Sequence, residues 1–361
     1  MLDLASELLP VLRAGSAVAV VTITAVPRSA PRGVGASMAV AADGRVIGSI
    51  SGGCVEGDAV LLSHAVLRDG VGRTARFGFS DEAAHAAGLA CGGSIDVVVY
   101  RIDPADSAAL STLELAAADR RITIGVTCSG SNPGSLVLPE RLPLDESAVA
   151  TGGMLLAAYD GSDVVVIAHL PRPRLIIAGA ADHAAALCRV ASAAGFAVTV
   201  CDPWELLVTR ERFPDADRLV AGLPHEHLRS IPLDELDERT AVCVLTHDER
   251  LDVPALRIAL SLPIGFVGAM GSRATAARRA QLLRQSGVDD AGLARLHSPL
   301  GLDLQGTTPD ETAISVLAEI IAARHRGTGL ALRDLSGAVH RATPVDRSCA
   351  PDSALTPEAL R

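Results

Sequence analysis

Lysine is absent from this 361-residue chain: all 32 basic residues are arginine, set against 42 acidic ones for a formal net charge of −10. The acidic balance disfavours nonspecific nucleic-acid binding, while arginine-only usage leaves forked donors suited to phosphate or carboxylate groups. CxxC spacing is missing too. The seven cysteines, at 54, 91, 128, 188, 201, 243 and 349, are dispersed and odd in number. That pattern argues against a disulfide framework and a zinc ribbon and fits reduced thiols in a cytoplasm. No apolar run reaches bilayer length, and Met1-Leu2-Asp3-Leu4-Ala5-Ser6-Glu7 carries acids where a signal peptide needs a basic region. The expectation is a cytoplasmic protein with neither a membrane nor a nucleic acid as partner.

What is present is a globular composition, 49% hydrophobic and 20% charged, in a chain long enough for two or three cores. Residues 4–13 have helical apolar spacing, 18–24 read as a strand, and 36–40 with 46–50 read as a hairpin turned at Asp43-Gly44. A helix follows over 55–67, then strands at 73–79 and 95–100, giving a mixed α+β domain over 1–103. Residues 104–172 show an alanine-rich helix at 110–118 and strands at 121–127, 136–138 and 164–168, read as a connector subdomain. From Arg174 strands and helices alternate to residue 327, the pattern of a doubly wound parallel sheet. The fold class is therefore α/β, an N-terminal α+β domain followed by a Rossmann-like domain over 173–327, with a loose tail over 328–361.

Chemistry concentrates in two glycine-cysteine turns, Ser51-Gly52-Gly53-Cys54-Val55-Glu56 and Cys91-Gly92-Gly93. Paired glycines permit positive φ and close approach to main-chain N–H groups, while a thiolate is both nucleophile and soft metal ligand. Cys54 stands at the expected start of a helix, where the dipole favours ionisation. Cys128, Cys188, Cys201 and Cys243 fall within expected strands or helices and read as small hydrophobes.

The second half offers three strand-end motifs. Gly179-Ala180-Ala181-Asp182, with Asp202 closing the next strand, is an incomplete dinucleotide fingerprint, because Ala181 replaces the second glycine and Asp182 is an acid at a helix N-terminus. Thr246-His247-Asp248 follows one strand, with His247 either an acid-base group or a strand-end residue. Gly268-Ala269-Met270-Gly271-Ser272-Arg273 follows another, either an anion-binding turn or a tight connection with Ser272 as N-cap.

Together these segments resemble the xanthine dehydrogenase accessory factors of the XdhC/CoxI type. The resemblance runs through residues 31–38, Asp43-Gly44, 50–56 and 91–93, then Asp202-Pro203, 212–214, 245–248, Asp252, 268–273, 299–303 and 308–319. It implies a maturation factor that binds molybdenum cofactor of the molybdopterin type in transit and protects it while a terminal sulfido ligand is installed. Delivery would be to an apo-molybdoenzyme of the xanthine or carbon monoxide dehydrogenase class, with a cysteine desulfurase as a further partner and a homodimer as a plausible state. It also implies Cys54 and Cys91 as molybdenum ligands or sulfur relays, Ser51, Gly52, Gly53, Glu56, Gly92 and Gly93 as their turns, and Gly271, Ser272 and Arg273 as a phosphate support. Gly179, Asp202 and Asp248 complete the candidate set. NAD(P) is not an expected ligand; the alternatives are an NAD(P)-dependent oxidoreductase with His247 as general acid or base, and a plain interaction scaffold.

Overall fold

Strand β1 (Val18–Ala25) is buried along its whole length, because both of its faces are covered. Val18 and Val20 enter one core and Ala19, Val21 and Ile23 another, which is why the segment reads as an unbroken apolar run rather than an alternating one. The structure is a computed structural model that describes residues 1–27, 30–53, 55–78, 94–142 and 155–336. These residues fall into two compact units, divided along the chain between Pro171 and Arg172.

In the first unit helix α1 (Ala5–Arg13) leads into β1, β2 (Ser37–Ala41) and β3 (Val46–Gly48), then α2 (Glu56–Asp69), β4 (Arg73–Gly78) and β5 (Ser94–Ile102). The five strands form an antiparallel sheet in the order β3-β2-β1-β5-β4. α2 covers one face through Ala59, Leu62 and Val66 and ends at Gly70, whose φ of 73° closes the helix in the left-handed conformation.

Residues beyond 103 add α3 (Ser107–Ala117), β6 (Ile122–Thr127), β7 (Leu136–Val137), β8 (Leu155–Tyr159) and β9 (Ser162–His169). The four strands make a second antiparallel sheet, β7-β6-β9-β8. The sequence reading of this stretch as a connector does not describe its packing. Leu113, Ile124, Val126 and Val165 lie in one core with Leu8, Leu12, Val20 and Tyr100. Contact is close enough to require glycine: a Cβ on Gly72 would stand 1.8 Å from the Pro133 carbonyl oxygen, and one on Gly134, at φ 87°, would stand 2.2 Å from the Tyr100 Cβ. Strand β8 escaped the sequence reading because Leu-Leu-Ala-Ala-Tyr has little β-branched character.

The second unit contains β10 (Arg174–Ala178), α4 (Asp182–Ala193), β11 (Ala197–Asp202), β12 (Arg218–Ala221), α5 (Pro224–Ser230), β13 (Ala241–Val244), α6 (Glu249–Ser261) and β14 (Phe266–Ala269). It closes with α7 (Arg273–Gln285), α8 (Asp290–Ala294), β15 (Leu296–His297) and α9 (Pro309–His325). All six strands are parallel in the order β12-β11-β10-β13-β14-β15. That is the 3-2-1-4-5-6 order of a doubly wound Rossmann sheet, as expected, with its switch point between β10 and β13. Leu175 and Ile177 pack with α4 and α9 on one face, and Ile176 and Ala178 with α6 on the other. The short β12 and α5 went unread because only four residues pair and none of the β12 positions is fully buried.

Gly134→Ala tests the shared core of the first unit. The strained φ and the collision with Tyr100 should cost about 2–5 kcal/mol, seen as an earlier urea midpoint for the β1–β5 sheet as well as for β6–β9. An unchanged β1–β5 transition would show that the two sheets unfold separately.

Candidate functional site

Glu56, the first residue of α2, is the acceptor on which the Ser51–Glu56 turn converges. Its Oε1 accepts from the Ser49 hydroxyl at 2.7 Å and from the N–H groups of Ile50 (3.3 Å), Ser51 (2.8 Å) and Gly52 (3.0 Å). Its Oε2 accepts from the Ser51 hydroxyl at 2.5 Å and from the N–H groups of Gly53 (2.8 Å) and Val55 (3.2 Å). Gly52 and Gly53 have φ of 83° and 123°, conformations that let consecutive N–H groups turn toward one anion. Burial pushes the Glu56 carboxyl pKa up, but the Ser51 and Ser49 hydroxyls and the surrounding N–H groups outweigh it and hold the group well below the usual range.

The glycine N–H groups, expected to face a ligand, thus donate to the chain's own carboxylate. The N–H groups on either side of Cys54, those of Gly53 and Val55, are anchored to one oxygen. Cys54, Cys91, Gly92 and Gly93 themselves lie outside the described residues. Of the thirty-seven-residue separation between the two cysteines the described part is α2 and β4, which pack against β5. The Arg101 guanidinium at the end of β5 bonds the Leu67 carbonyl at the end of α2 at 3.0 Å, so the starts of α2 and β5 share the opposite end of the sheet. Ser94, which follows Cys91-Gly92-Gly93 in sequence, opens β5.

In the second unit the strand ends are joined by acids turned inward. Gly179, at φ 116°, approaches β13 so closely that a Cβ would stand 3.0 Å from the Thr246 nitrogen. Asp202, buried, accepts from the Ala180 N–H at 3.0 Å through Oδ2 and from the Trp204 N–H at 2.9 Å through Oδ1. Both oxygens of the acid expected to read a ribose are thus engaged by backbone. Asp182 is exposed, with the Arg212 guanidinium 3.7 Å away.

His247 is exposed and makes no hydrogen bond among the described residues. Asp248 caps α6, accepting from the Arg250 N–H at 2.9 Å, and its pKa is held low first by the Arg250 side chain. Ser272 caps α7, accepting from the Thr275 N–H at 3.1 Å, and Gly271 precedes it at φ 153°. Arg273 is exposed beside them with no ion pair among the described residues.

Sequence reasoning assigned no role to the residues that tie this rim together. Arg279 and Asp252, 3% and 2% exposed, pair at 2.8 Å. Arg279 also donates to the Met270 carbonyl (2.9 Å) and the Ser298 hydroxyl (3.2 Å), and Thr246 donates to Asp252. On the neighbouring strand β15 His297 stacks on Phe266, with ring centroids 4.3 Å apart, and bonds Glu319 at 2.8 Å, while Glu319 accepts the Gly301 N–H at 2.6 Å. Nothing in the local sequence marks Arg279 out, since its helix carries three further arginines.

Both halves of the chain resemble known proteins. Residues 175–320 match the model of the XdhC Rossmann domain, and residues 11–78 that of the XdhC and CoxI family. The chain is 30% identical over 318 residues to a Bacillus subtilis protein named as a probable subunit of xanthine dehydrogenase, covering 84% of this chain and 92% of that one. The chain belongs to the XdhC and CoxI family. A second relative, the molybdenum cofactor insertion chaperone PaoD of Escherichia coli, is 27% identical over 315 residues, 87% of this chain and 85% of its own. A crystal structure described as a xanthine dehydrogenase from Bacillus halodurans superposes with a TM-score of 0.70 at 26% identity, covering 91% of this chain and 98% of that one. The match over 11–78 contains the Glu56 turn, and the match over 175–320 contains the whole inward-facing rim.

Among the described residues the free thiols are buried. Cys188, Cys201 and Cys243 are free and buried, and burial pushes Cys188 up to about 11, Cys201 up to about 12 and Cys243 upward as well. Cys128, read as a reduced hydrophobe, is buried but disulfide-bonded. Among the described residues no group of three or more His, Cys, Asp or Glu side chains could hold a metal ion, and no helix is long and apolar enough to cross a membrane.

Two measurements probe these clusters. The folded pKa of Glu56 lies below its unfolded value of about 4.3, so its stabilisation is complete above that pH and fades as the pH falls through and below it. Glu56→Gln should lose about 1.5–3 kcal/mol at neutral pH and flatten this acid limb of the stability curve; an unaltered limb would show that the cage carries no stability. In the second unit Arg279→Met should cost about 3–5 kcal/mol by stranding Asp252, with Asp252→Asn adding little on top. Additive losses in chemical denaturation would refute that pairing.

Proposed function

We propose that this protein is a molybdenum cofactor carrier, sheltering the cofactor while its terminal sulfido ligand is installed and handing it to an apo-molybdoenzyme of the xanthine or carbon monoxide dehydrogenase class. The observation that carries this reading is the Glu56 cage, which anchors the backbone on both sides of Cys54 in a chain whose relatives include a molybdenum cofactor insertion chaperone. A soft, sulfur-loving metal suits a thiolate, and the start of a helix favours that thiolate. Cys54 serves as metal ligand or sulfur relay, Cys91 as its neighbour, and Glu56 as the group that positions the turn. A cysteine desulfurase is the chemically suitable sulfur source.

In the second unit the exposed Arg273 is the better phosphate donor of its pair, since the Ser272 hydroxyl already caps α7. His247 is exposed at the same rim. The oxidoreductase alternative draws support from the strand order, but Ala181 replaces the glycine that pyrophosphate needs and Asp202 is occupied by two backbone donors.

Protein purified from cofactor-producing cells should carry molybdenum and pterin. Cys54→Ala should carry at least about tenfold less, and Glu56→Gln an intermediate amount with reduced activation of the partner enzyme. Wild-type protein free of pterin in every preparation, together with full partner activation by both variants, would end the carrier reading. Steady oxidation of a reduced nicotinamide by the protein alone would favour the alternative.

A further inference from the structure

The chain contains one tryptophan, two tyrosines and five phenylalanines, and it hides most of them. Phe77, Phe196, Phe213, Phe266 and Tyr100 are buried, whereas Trp204 is 68% exposed. Large aromatic rings lose more than other side chains by remaining in water, and Leu206 and Leu207, which follow Trp204 closely in sequence, are exposed with it, so an apolar surface is left open here. Its place in the fold narrows what that is. Trp204 stands two residues after the end of β11, the strand beside the β10–β13 switch point, on the edge of the sheet where open α/β folds collect ligands.

Nor does the ring hang from a loose loop. The Trp204 N–H is held by Asp202 Oδ1 at 2.9 Å, its carbonyl accepts the Leu207 N–H at 2.9 Å, and Asp202 Oδ2 holds the Ala180 N–H at 3.0 Å. One buried carboxylate thereby fixes the tryptophan backbone to the turn that follows β10. The same bonds engage the acid that would otherwise read a sugar, which leaves a flat apolar face as the means of recognition.

We propose that Trp204 is the stacking platform of a binding subsite for a planar heteroaromatic ring at the carboxyl end of β11. The inference rests on the carrier reading, because a fused ring is what a pterin-bearing cargo offers. The ring comes either from the pterin itself or from a nucleobase attached to the cofactor, two sources with the same stacking chemistry.

The full-length protein supplies its own reporter, since all tryptophan emission comes from Trp204. Titration with neopterin and, separately, with cytidine monophosphate should quench that emission saturably with at least one of them. Neopterin alone would identify the pterin as the occupant, and cytidine monophosphate alone the nucleobase. Equilibrium dialysis of the same compounds should show Trp204→Phe within about threefold of wild type and Trp204→Ala weakened at least about tenfold. The exposed position leaves the core of either variant intact. Cys54→Ala should retain ring binding, which separates the two proposals. Ring binding by a protein that never carries cofactor would sink the carrier reading and keep the subsite. Cofactor-loaded wild type with no response to either ring, Trp204→Ala binding as tightly as wild type, or emission that responds only to the partner enzyme would each overturn the subsite.

Discussion

A single carboxylate at the start of α2 governs the glycine-rich turn of the first unit. Five main-chain N–H groups and two hydroxyls point at Glu56, an arrangement that is stable only while the acid is ionised and the two glycines of the turn hold positive φ. The turn therefore has little freedom of its own. Gly53 and Val55, the neighbours of Cys54 in sequence, have N–H groups that cannot move without breaking bonds to the same oxygen. Geometry fixed in advance in this way lowers the ordering cost of any ligand the turn takes up.

The same device recurs in the second unit. Asp202 joins the β10 turn to the β11 loop, Asp252 with Arg279 joins the loops after β13, β14 and β15, and Glu319 joins the last of these to α9. Acids that a motif would assign to ligand contact thus hold backbone to backbone. A Rossmann sheet built this way keeps the strand order of a dinucleotide-binding fold while the positions that usually touch the dinucleotide serve as internal ties. Arg273, His247 and Trp204 are among the side chains that stay exposed at that rim.

Much of the architecture was legible because its signals are local. Apolar runs of strand length, the Asp43-Gly44 hairpin and the alternation after Arg174 depend on residues close in sequence. Gly179 also kept its meaning as a tight strand-to-helix turn. The misreadings had tertiary causes. The stretch over 104–142 and 155–171 looked independent because its own pattern gives no hint that Leu113 and Ile124 share a core with Leu8 and Val20. β8 and β12 are short strands specified by their neighbours rather than by their residues.

The candidate site divides along the same line. Residue types and spacing alone determined that the Ser51–Glu56 and Cys91–Gly93 segments carry glycine beside thiol, that Asp202 closes a strand after an altered fingerprint, and that one tryptophan stands among few aromatics. Whether Glu56 faces a ligand or its own turn, whether Asp202 is free or engaged, and which arginine is buried against Asp252 were decided only by the tertiary structure. Hydrogen bonds and burial join groups far apart in sequence, such as Asp252 and Arg279, 27 residues apart, and no local pattern records which donor reaches which acid.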